Sequence, residues 1–465
     1  MKNTIRFPIS EFRFPIPCAL APFLWTLLLL VVPLRAADDQ RISEELYDFT
    51  SRRTVGSTDM VEVLLEVAGL TSQFTTEQKE VTTPLKVAAG FKYEERILEF
   101  QTTEKPVLRS IREYSLAKAK MNIGDAEQTP DLGSNHKFVV CQINEKRANL
   151  FSPQGPFKSE QLLLFEMPGN TLSLDLLLPP KPVKIGGSWT IPNQALIPFL
   201  NIDGVMQNTL EATFLSVADD LAMVQIVGEA QGVYLGAFSE MTVNARYQFD
   251  LRTRRINWVG MLLEEKRSVG HAGPGLDVKA RLQVKILPLD TPNNLTETQV
   301  KAFPLTPNES LLRLRYEHGR GAWRFHHPRS WYMILDERDK TLLRMLDKGN
   351  LVAQCNIVAR PKIDPRTPTT LRRFTEDLVK GLENNSVNVV ATEESFNSAG
   401  YHELRVILDG KVATESGELP LRWVYYLLTD KNGYQTVVVF VIEVDQLPQF
   451  GDSDEIILDS FRMIN

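Results

Sequence analysis

Hydrophobic and polar positions alternate along most of this chain, and the alternation sorts it into two β-rich parts. Residues 37–57 are polar, with a short helical pattern through Ile42, Leu46 and Phe49. From Asp59 the period changes to two. Met60–Val67, Phe91–Phe100 and Arg109–Ala117 read as strands, joined by threonine- and glutamate-rich stretches that can themselves pair at an edge. Phe138–Ile143 and Ala148–Ser152 flank Asn144-Glu145-Lys146-Arg147 as a hairpin. Trp189 follows a Gly186-Gly187 turn, the posture of a core plug, and Asn193–Leu200 predicts one or two helical turns lying across a sheet face or barrel end. The alternation is clearest afterwards. Val243, Ala245, Tyr247 and Phe249 share one side, as do Ile256, Trp258, Gly260 and Leu262, and the pattern ends on Val278, Ala280, Leu282, Val284 and Ile286. Long strands joined by short polar turns predict an antiparallel meander with one buried face. So many of them predict a large curved sheet or a partly open barrel, since closure removes exposed edges.

Between 288 and 310 proline, threonine and asparagine dominate and the periodicity lapses, which predicts a linker. The second part, 311–465, opens on an aromatic strand ending at Pro328 and then Trp331. A hairpin turns at Asp347-Lys348-Gly349-Asn350, and Thr369 or Thr370 caps a helix with the stripe Leu371, Phe374, Leu378 and Leu382. Val387–Ser395, Tyr401–Asp409 and Leu421–Leu428 follow as strands, and Asp430-Lys431-Asn432-Gly433 is a strong hairpin signal before Gln435–Ile442. A short helix, Asp454–Phe461, ends the pattern.

Composition adds an address. In 465 residues, 43% are apolar and 24% charged, ordinary values for a chain that buries cores in two or three domains. The balance of 52 basic against 58 acidic residues gives no basic stripe for nucleic acid. Lys2, Arg6 and Arg13 precede an uncharged run from Cys18 to Leu34, ending in Leu34-Arg35-Ala36-Ala37. This reads as a signal peptide over residues 1–36, cut after Ala36, and it places the mature chain in the periplasm or outside the cell. The rival reading is an uncleaved anchor, which is the one route to a membrane that this sequence offers. After cleavage two cysteines remain, Cys141 and Cys355, both on strand patterns, and nothing in their spacing indicates a disulfide.

The order Phe325-x-x-Pro328-x-x-Trp331, hairpin, long helix, antiparallel strands with the Asn432-Gly433 turn, and terminal Asp459-Ser460-Phe461 resembles the PsbP-like family. The resemblance covers the C-terminal third and implies an antiparallel sheet flanked by helices. In that family these positions look structural, and its members include binding and assembly factors, so it brings no active site with it. The N-terminal part resembles uncharacterised exported bacterial proteins.

Candidate chemistry is sparse. His326 and His327 are strand neighbours and point to opposite faces, so they cannot readily share an ion; His318 and His402 are the remaining histidines of that part able to join. Gly270-His271-Ala272-Gly273-Pro274-Gly275 lacks the Lys-Ser/Thr of a phosphate loop and reads as a turn. Glu264-Glu265 and Glu393-Glu394 are adjacent pairs that diverge on a strand. The tryptophans at 189, 258, 323, 331 and 423 read as core, with Trp323 and Trp331 able to rim a pocket. No catalytic, cofactor-binding or metal residue is assigned. The expectation is therefore a mainly β plus α+β fold: signal peptide 1–36, antiparallel β domain 37–287, linker 288–310 and PsbP-like α+β domain 311–465. Its expected role is a non-enzymatic binding or assembly protein of the cell envelope, with an unknown protein or apolar ligand as partner. The alternatives are a carrier of an apolar ligand in the first domain, with a cavity behind Val243–Phe249 and Ile256–Leu262, and a hydrolase whose site is scattered beyond sequence recognition.

Overall fold

The computed structural model describes residues 45–464 apart from 75–78, 101–106, 145–147, 383–385 and 415–416. The expected signal peptide lies outside the described residues. Residues 43–465 belong to one compact unit.

The meander predicted by the alternation is present and longer than the sequence pattern indicates. Its N-terminal strands are β1 (Thr58–Phe74), β2 (Glu80–Glu99), β3 (Leu108–Ile123), β4 (Ala126–Gln128), β5 (Phe138–Ile143) and β6 (Asn149–Phe151). A two-residue strand, β7 (Phe157–Lys158), precedes α1 (Ser159–Leu163), a 3-10 helix (Thr171–Leu177), β8 (Ser188–Thr190) and α2 (Asn193–Leu200). The sheet then continues through β9 (Gly204–Asn208), β10 (Glu211–Ala218), β11 (Leu221–Tyr234), β12 (Ala237–Asp250), β13 (Arg255–Arg267) and β14 (Gly275–Leu289). The main path runs β6-β5-β3-β2-β1-β14-β13-β12-β11-β10-β8, with β4 and β9 attached to β3 and β11. Its end strands β6 and β8 do not pair with each other, so the sheet is open. The threonine-rich stretches do pair: β1 and β2 stay in register out to Phe74↔Glu80.

Strict alternation fixes which face is inside. Along β12, Ala237, Ser239, Met241, Val243, Ala245, Tyr247 and Phe249 are buried while their neighbours are mostly exposed. Outward positions carry Glu62, Lys92, Glu264 and Lys279, paired as Lys92–Glu62 (2.7 Å) and Lys279–Glu264 (2.6 Å), so the convex face is solvated. The concave face is filled. Phe49 packs 5.1 Å, ring to ring, from both Phe214 and Phe249, and Leu196 and Phe199 of α2 join the same core. Here the helical reading through Leu46 and Phe49 fails (Ile42 lies outside the described residues). The segment is extended: Tyr47 bridges Val183, Leu46 is 66% exposed and Phe49 only 1%. The Phe49 ring is drawn into the sheet's hollow, while Arg254 holds the Asp48 carboxylate and bonds Thr50 O at 2.9 Å, so tertiary contacts override the local period.

Residues 288–310 form a packed strap rather than a free spacer. Leu295 and Val300 are buried against Ile111, Phe138, Val140 and Phe151 on the outside of β3, β5 and β6. Within the strap, α3 (Glu297–Lys301) is capped by Thr296, and α4 (Glu309–Leu312) follows, capped by Asn308.

The C-terminal part holds two further sheets. A four-stranded one pairs β15 (Leu314–Glu317) with β16 (Trp323–His327), and adds β7 from the first part in parallel and β24 (Arg462–Met463) at the other edge. A seven-stranded antiparallel one contains β17 (Trp331–Glu337), β18 (Lys340–Asp347), β19 (Asn350–Arg360), β20 (Asn388–Phe396), β21 (His402–Thr414), β22 (Gly417–Thr429) and β23 (Gln435–Glu443), in the order β17-β18-β19-β23-β22-β21-β20. One face packs the core of Trp323, Phe325, Trp331, Phe440 and Phe461, with α6 (Leu447–Phe450) and α7 (Ser453–Ser460) beside it. The other face takes α5 (Leu371–Gly381), which buries Phe374 against Leu404, Val406, Leu408 and Trp423. Trp323 and Trp331 are core, each about fully enclosed, and rim no open pocket.

Candidate functional site

Among the described residues a dense grouping of ionisable side chains lies inside the curved sheet, under the 3-10 helix. Alternation puts Phe91, Tyr93, Glu95 and Ile97 of β2 on the concave side. In the pairing register Glu95 stands opposite Asp59 of β1 and Arg112 of β3. Arg53 enters from the extended segment before β1, and Arg255 from the start of β13. Thr171 comes from the first position of the 3-10 helix, where Asn170 caps the helix by accepting from Leu172 N.

Glu95 is fully buried and accepts four hydrogen bonds. Ser110 Oγ and Arg112 Nε donate to Oε1, each at 2.8 Å. Arg53 Nη2 and Thr171 Oγ1 donate to Oε2 at 2.7 and 2.8 Å. Burial alone would raise its pKa, but Arg112, Arg53 and the donated bonds outweigh that and hold it down at about 2. Asp59 lies 3.2 Å from Arg53 and 2.6 Å from Arg255. Burial nevertheless keeps the Asp59 pKa raised, against the pull of Arg53 and Arg255. Arg53 loses from burial and gains more from Glu95, Asp59 and Asp175, so its pKa is raised. Tyr93 adds a hydroxyl 3.0 Å from Thr171 Oγ1. Cys141 Sγ accepts from Asn170 Nδ2 at 3.4 Å, and burial pushes the thiol up. Breaking a network this deep costs far more than a surface pair, because it strands a charge away from water.

A cavity of about 280 Å³ adjoins the network, lined by Phe100, Leu108, Leu172, Asp175 and Leu176. Asp175 sits on the 3-10 helix with its Oδ2 enclosed and without a hydrogen-bond partner among the described residues. Burial raises its pKa, opposed by Arg53 and by a hydrogen bond with Ser51. A second hollow, of about 580 Å³, opens between α5 and the stretch before β20, lined by Thr375, Glu376, Val379, Lys380, Ser386 and Val387.

The histidines do not converge. His326 is half-buried and His327 fully buried, on opposite faces as strand geometry requires. His318 Nε2 bonds Glu337 O at 2.7 Å, and His402 Nε2 bonds Glu394 Oε1 at 2.8 Å. No group of acids, histidines and cysteines able to hold a metal occurs among the described residues. Cys141 and Cys355 are buried and free. The acid pairs diverge: Glu264 reaches out to Lys279, while Glu265 turns in to Ser239 Oγ at 2.7 Å. The grouping around Glu95 went unassigned in the sequence. Its signal is there in retrospect: an acid falling on the inward phase set by Phe91, Tyr93 and Ile97, which demands buried cations nearby.

No protein-family model and no curated protein matches the chain. Among solved structures it is similar to a protein of Bacteroides thetaiotaomicron VPI-5482, at 10% identity and a TM-score of 0.24, over 32% of this chain and 48% of that one. It is also similar to the translocator domain of the autotransporter NalP from Neisseria meningitidis, at 7% identity and a TM-score of 0.12, over 84% and 88%. For the outer membrane protein OprD from Pseudomonas aeruginosa the values are 9%, 0.11, 85% and 96%. The chain thus spans about half the length of the first of these, and scores this low bear on neither fold nor activity.

Proposed function

We propose that this chain is a non-enzymatic binding or assembly protein of the cell envelope, exported by residues 1–36 and acting through the free edge of its C-terminal sheet. The observation that carries this reading is β20. It is the end strand of the seven-stranded sheet, and all but one of its residues are exposed, including Val390 at 51% and Phe396 at 75%. Such an edge offers a row of unpaired backbone groups to an extended segment of a partner protein, with side-chain hollows for specificity. The hollow of about 580 Å³ beside α5 lies at the start of that edge. The resemblance to the PsbP-like family, with its binding and assembly factors, points the same way. Of the side chains expected to line a carrier's cavity, Val243–Phe249 and Ile256–Leu262, the inward ones of the first strand and Ile256 are packed in one core with Phe49 and Phe214, while Trp258, Gly260 and Leu262 lie on the outward phase of β13, which favours binding at the edge over carriage inside.

Site-specific photocrosslinking in the producing cell tests this. A photoreactive residue at position 390 is expected to give a discrete protein adduct, and one at the exposed convex position 262 none. Equal labelling at both, or none at 390, would count against the reading. No helix among the described residues is long and apolar enough to cross a membrane.

A further inference from the structure

We propose that the outward face of the four-stranded sheet is a docking surface for an acidic segment of a partner protein. Strand alternation decides which side chains stand on it. Tyr316, Trp323 and Phe325 are buried in the core, so Arg315, Arg324 and His326 point the other way, with Arg313 extended just before β15. The pairing register then sets cation beside cation. Arg324 stands opposite Arg462 of β24, and Arg315 stands between His326 of β16 and Lys158 of β7. Burial, and then Arg315, Arg313 and Arg324, hold the His326 pKa below its ordinary value, so three guanidiniums act on that one ring. Like charges directly opposite one another cost stability. Arg313 and Arg324 make no ion pair or side-chain hydrogen bond among the described residues that would offset it.

One carboxylate of the chain shows what this face takes. Glu317, the single acid in the four strands, lies 3.1 Å from Lys158 and 2.9 Å from Arg315, and its bonds to those two lower its pKa. Arg313 and Arg324 are left for further carboxylates, whose paired oxygens match the guanidinium fork. Neighbouring strands lie about 4.8 Å apart, so the face is roughly 14 Å across. Exposed acids flank its cations along the chain: Glu160 follows Lys158, Glu309 precedes Arg313 and Asp459 precedes Arg462. The chain as a whole carries a net charge of −6. A continuous anionic lipid surface would meet those acids as well as the cations, whereas a short acidic segment meets the cations alone. The face belongs to a different sheet from β20, and the two readings stand or fall separately.

Fluorescence anisotropy of a fluorescein-labelled deca-glutamate peptide, titrated with the purified chain, tests this. Saturable binding is expected at about 20 mM salt, and binding about tenfold weaker at about 200 mM, because the contact is open to screening. Arg313→Glu combined with Arg324→Glu is expected to weaken binding by about tenfold or more. Neither arginine has an ion pair to lose, and a carboxylate at position 324 would face Arg462, so the unfolding midpoint is expected to hold or rise. Lys86→Glu combined with Lys266→Glu makes the same change of charge at exposed positions of the large sheet, and is expected to leave binding within about twofold. Absence of saturable binding at low salt would overturn the proposal, as would an equal loss in both pairs of variants. Binding to phosphatidylglycerol vesicles but not to the peptide would overturn the choice of a protein partner. Should the arginine pair fail to fold, Arg324→Gln takes its place, with binding expected to weaken about threefold.

Discussion

Glu94 and Glu95 are neighbours on β2, both buried, and they hold opposite faces of the same sheet. Glu95 points inward and binds Arg53, Arg112, Ser110 and Thr171. Glu94 points outward and accepts the backbone N–H groups of Asn293, Asn294 and Leu295 at 3.0, 2.9 and 3.2 Å. Arg96, two residues on, donates to Leu295 O at 2.7 Å. One dipeptide therefore anchors the interior network on one side and the strap leading to the C-terminal sheets on the other.

The two carboxylates fail differently when removed. Glu95→Gln leaves two arginines buried beside a neutral amide, and a loss of about 3–5 kcal/mol in global stability is expected from urea unfolding. Glu94→Gln deprives three backbone donors of a charged acceptor, for about 1–3 kcal/mol. Its signature is local: faster hydrogen exchange over residues 293–300 than over β12. If Glu95→Gln costs less than Glu94→Gln, the network is not what holds this end of the sheet.

The contrast explains what the sequence could and could not reveal. Strands β12 and β14 were legible because Val243 through Phe249 and Val278 through Ile286 alternate without interruption, and a period of two has one physical meaning. The reading of β13 fails after Ile256: a bulge at Asn257 shifts the phase, so Val259, Met261 and Leu263 are buried while Trp258, Gly260 and Leu262 fall on the outward side. The strap at 288–310 was not legible. Proline and asparagine there break the period, and the hydrogen bonds that fix it come from Glu94, about two hundred residues earlier in the chain. The extended run through Phe49 misled for a similar reason, since its partners Phe214 and Phe249 lie far downstream. The network around Glu95 draws on six elements between Arg53 and Arg255, so no spacing rule could assemble it.

Two hairpin tips meet where the first part touches the second. Leu235 and Gly236 (φ 48° and 78°) turn between β11 and β12, and Lys348 and Gly349 (φ 48° and 84°) turn between β18 and β19. A Cβ placed on Gly236 would stand 2.6 Å from the Gly349 Cα, and one on Gly349 would stand 2.4 Å from the Gly236 Cα. Arg344 Nη1 also donates to His271 O across this contact, at 3.0 Å. Gly236→Ala is expected to cost more than about 1 kcal/mol, since left-handed backbone and close approach both penalise it. Combining it with Gly349→Ala is expected to cost less than the sum, because either change already parts the tips. A double-mutant cycle by denaturant unfolding checks this, and strict additivity would mean the tips are not coupled.

The proposed export makes a prediction about covalent structure. If the signal segment is cut after Ala36, intact-mass measurement on protein from the envelope fraction is expected to match a chain beginning at Ala37. Replacing Ala36 with Arg is expected to slow processing and leave a longer species bound to the membrane. Recovery of the full-length chain from the soluble cytosol would remove both the address and the edge-binding role that depends on it.

His327 gives the fold a dependence on pH whose sign follows from its surroundings. The ring is buried at the end of β16, and Nδ1 lies 2.9 Å from Pro328 O. A carbonyl only accepts, so Nδ1 carries the proton and Nε2 presents a lone pair with no partner among the described residues. Charging the ring would bury a cation, and burial accordingly pulls the pKa down from 6.5 to about 4, with the Pro328 bond opposing and His326 adding a little. The unfolded chain takes up the proton first as pH falls. The contribution to stability is therefore complete above pH 6.5 and is lost progressively toward pH 4, reaching about 3 kcal/mol. Half-buried His326 and His136 shift the same way, while the raised Asp59, Asp175 and Glu403 act in the opposite sense, so the informative quantity is a difference between proteins. Chemical unfolding of the wild type and of His327→Leu at pH 7, 6, 5 and 4 is expected to show the wild type losing about 3 kcal/mol relative to the variant as the medium is acidified. Curves that stay parallel across that range would mean that His327 is already protonated, or open to water, in the folded protein.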